Sequence, residues 1–350
     1  MITADANLIY CIAAAWLIEF TLGASRAFVL PASVVRRILA AAADKFLTEG
    51  SRTDKRAARS GMMPARYEGR AASAASADAR PCAPDRIAGL FFALYCLAFT
   101  LIFFAVALDA ARRLNAALYY ILNALVISGA LGARRTAGYA AAALKPPRGG
   151  GPAAPAENVI VNISRNCLEG VFAPLLFAAA GVPFGLPAAF AALYSMLAAV
   201  CAMFENGATK YGDSGRAALT IKRVADFMPA RLCAVILPLF APACGSGLGG
   251  VARGFGATRD AYSARIHGNM QPDLNRALVA AAFAGTLGID LGNASEDFAS
   301  EKCASGFAGG KVSAGEHARP GARDVKRAAM LTVIASFGVT AAGTALALIV

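Results

Sequence analysis

Long apolar runs alternate with polar stretches along the whole chain. Residues 88–108 (AGLFFALYCLAFTLIFFAVAL) contain no charge and supply the ~20 residues that a helix needs to cross a bilayer. Residues 328–350 form a second uncharged run, and residues 8–30 a third, interrupted only by Glu19 and Arg26. Residues 114–131, 171–203 and 230–243 are further candidates. Gly181, Pro183, Gly185 and Pro187 divide the 171–203 run into two helices or a re-entrant hairpin. The pattern predicts an all-α, polytopic helical membrane protein with roughly five to seven spans joined by polar loops.

Composition agrees with that reading and excludes an ordinary soluble domain. Hydrophobic residues make up 57% of the chain and only 16% are charged, against ~25% charged in an average soluble protein. The mean hydropathy is +0.53. The first apolar run lacks a basic leader, since Asp5 is the only charge before Glu19, and Arg36 and Arg37 follow it. It therefore reads as an uncleaved first helix.

The net charge of +12 sits mainly in loops. In residues 45–86 the Arg and Lys residues are interleaved with Asp54, Glu68, Asp78 and Asp85, without the aromatic interleaving that base stacking uses. No nucleic-acid partner is expected, and the lipid bilayer is. The positive-inside rule places residues 44–86 and 134–148 in the cytoplasm, with crossings at 88–108 and 114–131 and a turn holding Asp109, Arg112 and Arg113. Residues 44–86 read as a hydrophilic inserted loop and residues 145–156 as a Pro/Gly-rich linker within a single membrane domain. Residues 245–256 (GSGLGGVARGFG) lack both the strand context and the Lys-Ser/Thr of a phosphate loop, and read as a flexible extramembrane connection. Cys11, Cys82, Cys96, Cys167, Cys201, Cys233, Cys244 and Cys303 never form C-x-x-C. They read as small buried apolar residues, not as metal ligands or a disulfide framework.

Candidate chemistry concentrates between Arg165 and Arg231, where polar residues lie inside sequence apolar enough to span a membrane. A charge near mid-bilayer costs at least ~2.5–3.5 kcal/mol, so these residues need partners or a polar cavity. Within its polar blocks, residues 165–176, 210–215 and 222–232, the acids are Glu169, Asp213 and Asp226, and the cations include Arg165, Lys210, Lys222, Arg223 and Arg231. Asn166 and Tyr211 add neutral hydrogen-bonding groups. Arg231 suits bidentate binding of a phosphate or carboxylate, or snorkelling at a helix start. Glu169 suits metal binding, or a helix N-terminus. Gly170 and Pro174 read as architectural.

The order of these pieces resembles the CobD/CbiB family of cobalamin biosynthesis proteins. The matching residues are Asn166, Gly170, Ala173, Pro174 and Leu175, then Tyr211, Asp213 and Gly215, then Val224, Ala225, Pro229, Ala230, Arg231 and Leu232. Leu22, Gly23 and Pro31 near the start and residues 282–292 (AFAGTLGIDLG) extend the likeness, which covers most of the chain apart from residues 44–86. His267 lies where the family has His-x-Ser-Pro-Asn-x-Gly, with either Asp273 or Asn275 at the Asn position. Several family acids are replaced, with Cys201, Lys222 and Arg223 in their places and Arg165 for a leading Glu.

The resemblance implies an amide-forming ligase of the adenosylcobinamide-phosphate synthase type in the cell (inner) membrane. Such an enzyme joins aminopropanol, or its phosphate, to a propionate of adenosylcobyric acid. It implies ATP and Mg²⁺, a corrinoid substrate, and contact with other corrin-pathway enzymes. On that reading Glu169, Asp213, Asp226 and Arg231 are catalytic, with Glu169 and Asp213 also metal ligands. Arg165, Asn166, Lys210, Tyr211, Lys222, Arg223, His267 and Asn275 bind substrate. The lost acids leave open a degenerate homologue that scaffolds corrinoid enzymes, and the broken apolar run leaves open a small-molecule transporter.

Overall fold

The computed structural model describes residues 6–22, 39, 41–43, 83–144, 155–206, 214–266, 273–291 and 320–349. Helices α1 (Ala6–Leu22), α2 (Ala83–Leu114) and α3 (Ala116–Ala130) come first. α2 carries Asp109, Arg112 and Arg113, which the sequence pattern places in a turn. Arg113 Nε donates to Asp109 Oδ2 at 2.8 Å, an i,i+4 pair that favours helix, and the break falls at Asn115 instead. The Asn115 side chain accepts from the Ala117 N–H at 2.8 Å and caps α3.

Helices α4 (Ala133–Ala143) and α5 (Ala156–Cys167) follow, then a π-helical turn (Leu168–Phe172) and α6 (Ala173–Gly181). A 3-10 turn (Val182–Phe184) separates α6 from α7 (Pro187–Asn206), so the apolar run breaks where its Gly and Pro residues predict. The remaining helices are α8 (Gly215–Ala225), α9 (Phe227–Leu239), α10 (Gly247–Ile266), α11 (Leu274–Leu287) and α12 (Ala322–Ile349).

Among the described residues, Ile87–Leu114, Ala156–Phe184, Pro187–Glu205 and Ala322–Ala345 are long and apolar enough to cross a membrane. Asn7–Thr21, Ala116–Ala130, Phe227–Leu239 and Leu274–Leu287 are shorter apolar helices. At a rise of ~1.5 Å per residue these reach about 20–23 Å, short of the ~30 Å hydrocarbon core. On α2, Phe91, Tyr95, Phe99, Ile102 and Val106 succeed one another at helical spacing and are each 59–68% exposed. In water each such side chain would forgo ~1.5–3 kcal/mol of burial; against acyl chains that penalty vanishes. The chain is an all-α, multi-pass membrane protein.

The described residues within 1–29, 103–195 and 223–350 pack as one compact unit, and those within 30–102 and 196–222 as another. In the first, α10 lies on α11, α9 on α11, α1 on α3 and α12 on α5. Trp16 joins α1 to α12: its Nε1 donates to Ser336 Oγ at 3.1 Å. In the second, a Cβ on Gly89 would meet Ser214 O at 1.9 Å, so only glycine permits this approach, and Phe92 meets Phe204 edge-on.

The glycine-rich segment 245–256, expected to be a flexible connection, is instead a turn followed by the first half of α10. Each glycine lowers helix propensity by ~1 kcal/mol, but close packing outweighs that. A Cβ on Gly254 would lie 2.8 Å from both Pro238 and Thr286 Oγ1. The missing side chain lets α10 seat against α9 and α11.

Candidate functional site

Pro174 sets the local geometry. Its nitrogen bears no hydrogen, so Gly170 O, four residues earlier, has no donor of its own in the helix. The backbone widens into the π turn, in which Ala173 N–H bonds to Leu168 O, and Gly170 O accepts from Gly132 N–H at 2.7 Å. The extra residue rotates the preceding helix by roughly 100° relative to an unbroken one. Glu169 lies inside this turn.

The Glu169 carboxylate gathers cations from two helices. Its Oε1 accepts from Arg276 Nε at 3.1 Å, Arg276 Nη2 at 2.9 Å and Arg165 Nε at 3.2 Å. Arg276 Nε also lies 3.3 Å from Asp273 Oδ2, while Asp273 Oδ1 accepts from Arg276 N–H at 3.4 Å and caps α11. The four side chains are 12–25% exposed, so they are shielded without being sealed. Two guanidiniums face two carboxylates. Removing one member of a buried pair costs ~3–5 kcal/mol, and these partly exposed ones fall at the lower end.

Two further contacts draw in the chain around residues 223–226. Tyr194 OH donates to Asp226 Oδ1 at 2.6 Å, and both residues are essentially fully buried. Glu169 and Arg276 also act electrostatically on Tyr194, which links the two groups. Asn275 Nδ2 donates to Arg223 O at 2.7 Å, tying the start of α11 to the end of α8.

Of the residues singled out in the sequence, Arg165, Glu169, Asp226, the Arg223 backbone and Asn275 thus meet in one region. The Arg223 side chain is exposed, Asn166 is half-buried on α5, and Lys222 is buried on α8. Arg231 lies over the Phe227 ring, 3.3 Å from its centroid, and donates Nη1 to Phe227 O at 2.8 Å. Its neighbours Met228, Leu232 and Val235 form an exposed apolar face. Lys210, Tyr211, Asp213 and His267 lie outside the described residues. Cys201, where the family carries an acid, is fully buried, with its thiol 3.4 Å from Ala218 O.

Arg276 and Tyr194 are the residues that sequence reading missed. Tyr194 sits in an apolar run where it reads as core. Arg276 carries a local signal, since it follows Asp273 by one helical turn, but nothing local points to Glu169.

The arrangement does not fit a magnesium site at Glu169. Mg²⁺ takes a near-octahedral set of oxygens, whereas two guanidiniums already bring positive charge within 3.2 Å of this oxygen. Among the described residues, no three His, Cys, Asp or Glu side chains gather to hold a metal ion.

This region falls within the stretch of the chain that matches a known family. The family described as CobD/Cbib protein matches residues 154–332, which contain Arg165, Glu169, Tyr194, Asp226, Asp273 and Arg276. A relative, the probable cobalamin biosynthesis protein CobD of Methanococcus maripaludis, is 29% identical over 132 residues, which are 38% of this chain and 39% of that protein. No solved structure matches this chain. Since the family match spans just over half of the 350 residues, the chain belongs to the CobD/CbiB family.

Proposed function

We propose that this protein acts in cobalamin biosynthesis at the cell membrane, joining aminopropanol or its phosphate to a propionate of adenosylcobyric acid as an amide. The observation that carries this reading is the Arg165–Glu169–Arg276–Asp273 cluster. It is a set of fixed charges inside the family-matched stretch of a multi-pass helical protein. Intramembrane charges are expensive and mark function more often than packing.

Condensing an amine with a carboxylate is uphill in water, so ATP is the co-substrate that the family resemblance implies. Both the nucleotide and an aminopropanol phosphate are anionic, as is the propionate, and cations held at fixed angles suit all three. Arg165 and Arg276 would bind and orient such groups. Asp226, held by Tyr194, is a positioning residue at the α8–α9 junction. Asp213, Lys210, Tyr211, Lys222, Arg231 and His267 are proposed contacts on the resemblance alone. No step is routed through Mg²⁺ at Glu169.

A non-catalytic scaffold for corrinoid enzymes is the second reading, favoured by buried Cys201 and Lys222 at positions where the family carries acids. Complementation separates the two. Expressed in a strain deleted for the family enzyme, the protein should restore cobalamin synthesis without added cobinamide. Protein that is inserted and abundant yet leaves the cobinamide requirement in place supports the scaffold.

A further inference from the structure

We infer that Arg276 is an anion-binding group that takes a phosphate or carboxylate, and that Glu169 serves to orient it rather than to hold a metal. Three observations carry this. First, the contacts of Arg276 Nε and Nη2 with one Glu169 oxygen, at 3.1 and 2.9 Å, fix the plane of the guanidinium. An arginine so held presents the end of its fork at a set angle, the geometry that two-pronged recognition of phosphate requires.

Second, Arg165 Nε reaches the same oxygen at 3.2 Å, so two cations converge on one carboxylate. Close like charges repel, and a further anion relieves that repulsion where a divalent cation would add to it. Third, Asn275 binds the Arg223 carbonyl at 2.7 Å, which brings a third arginine, exposed at its side chain, to the residue beside Arg276. With it the local set is three cations, Arg165, Arg276 and Arg223, facing Glu169 and Asp273, with Asp226 already engaged by the Tyr194 hydroxyl. The group stays 12–25% exposed, which leaves access.

This inference deepens the proposed function by naming the ligand class of the same cluster. Its test needs neither corrinoid nor amine, so a failure to form the amide and a failure to bind anion are separately visible. The full chain in phosphatidylcholine nanodiscs is titrated with radiolabelled inorganic phosphate, with and without Mg²⁺. Saturable binding is expected in both conditions, weakened at least tenfold in Arg276→Gln. Glu169→Gln should weaken phosphate binding less than Arg276→Gln does, and equally with and without Mg²⁺, because it loosens the Arg276 guanidinium while leaving both cations in place.

Should Arg276→Gln fail to insert, Arg276→Lys takes its place, with at least a threefold loss expected from its poorer geometry. A parallel arm with phosphatidylglycerol discs distinguishes the source. Competition by that lipid shows that headgroup phosphates reach the site, and its absence restricts the site to soluble anions; both agree with the inference. It is overturned by any of three results: no saturable binding, binding unchanged in both Arg276 variants, or Mg²⁺-dependent binding that Glu169→Gln abolishes.

Discussion

Replacing Arg276 by methionine removes two contacts to Glu169 and one to Asp273 while keeping much of the side-chain volume. Hydrogen bonds to charged groups contribute ~1.5–3 kcal/mol each, and taking one member from a buried ion pair costs ~3–5 kcal/mol. The 12–16% exposure of Arg276, Glu169 and Asp273 and the remaining Arg165–Glu169 contact pull the single-variant cost to about 3 kcal/mol on that scale. Glu169→Gln should cost a similar ~3 kcal/mol, because two guanidiniums lose their common acceptor. In the double variant neither of these two charges is left facing a missing partner, although Arg165 and Asp273 each lose one. Its loss should be ~4 kcal/mol, which leaves a coupling of about 2 kcal/mol, or roughly 30-fold in the unfolding equilibrium.

The assay is built into the chain. Trp16 is the sole tryptophan, buried and bonded to Ser336, so its emission follows unfolding of the same compact unit as detergent micelles are titrated with SDS. Strict additivity, with coupling below ~0.5 kcal/mol, would contradict the direct bonding of Arg276 to Glu169, because residues in such contact are not energetically independent.

Other consequences are tested singly. Thr286 Oγ1 is a buried hydroxyl without a partner among the described residues, so Thr286→Val should be neutral or stabilising, by up to ~1–3 kcal/mol, in the same titration; marked destabilisation would expose a hidden bond. Burial pushes the Cys244 thiol above its ordinary range, with Arg327 opposing, so less thiolate is present at any given pH. Alkylation of Cys244 at neutral pH should therefore lag that of a cysteine placed at exposed Gly245 by at least about tenfold, and equal rates would contradict the buried thiol. Cysteines introduced at Arg59 and Arg148 should resist impermeant maleimide on intact cells, since the positive-inside rule places both in the cytoplasm; strong labelling at either reverses the orientation.

Where local chemistry decides, the sequence was a good guide. Gly181, Pro183, Gly185 and Pro187 break the 171–203 run because they constrain the backbone by themselves, and Glu169 and Asp226 were legible as acids that an apolar stretch has to accommodate. Where tertiary packing decides, it was not. α10 forms despite its glycines because α9 and α11 press against them, and no local preference reveals that. Arg276 stands 107 residues from Glu169, and which acid it meets is set by how α11 packs against α5. The π turn itself was within reach: the four-residue step from Gly170 to Pro174 leaves a carbonyl without its donor.

The proposed reaction joins an aminopropanol unit to a corrinoid carboxylate as an amide. The most direct measurement incubates the purified full-length protein in nanodiscs with adenosylcobyric acid, aminopropanol phosphate, ATP and Mg²⁺, and follows the corrinoid by mass spectrometry. The account predicts a product heavier by the amine minus one water, formed only with ATP and lost in Arg276→Gln. Unchanged adenosylcobyric acid, from protein whose Trp16 emission reports a folded state, would contradict it.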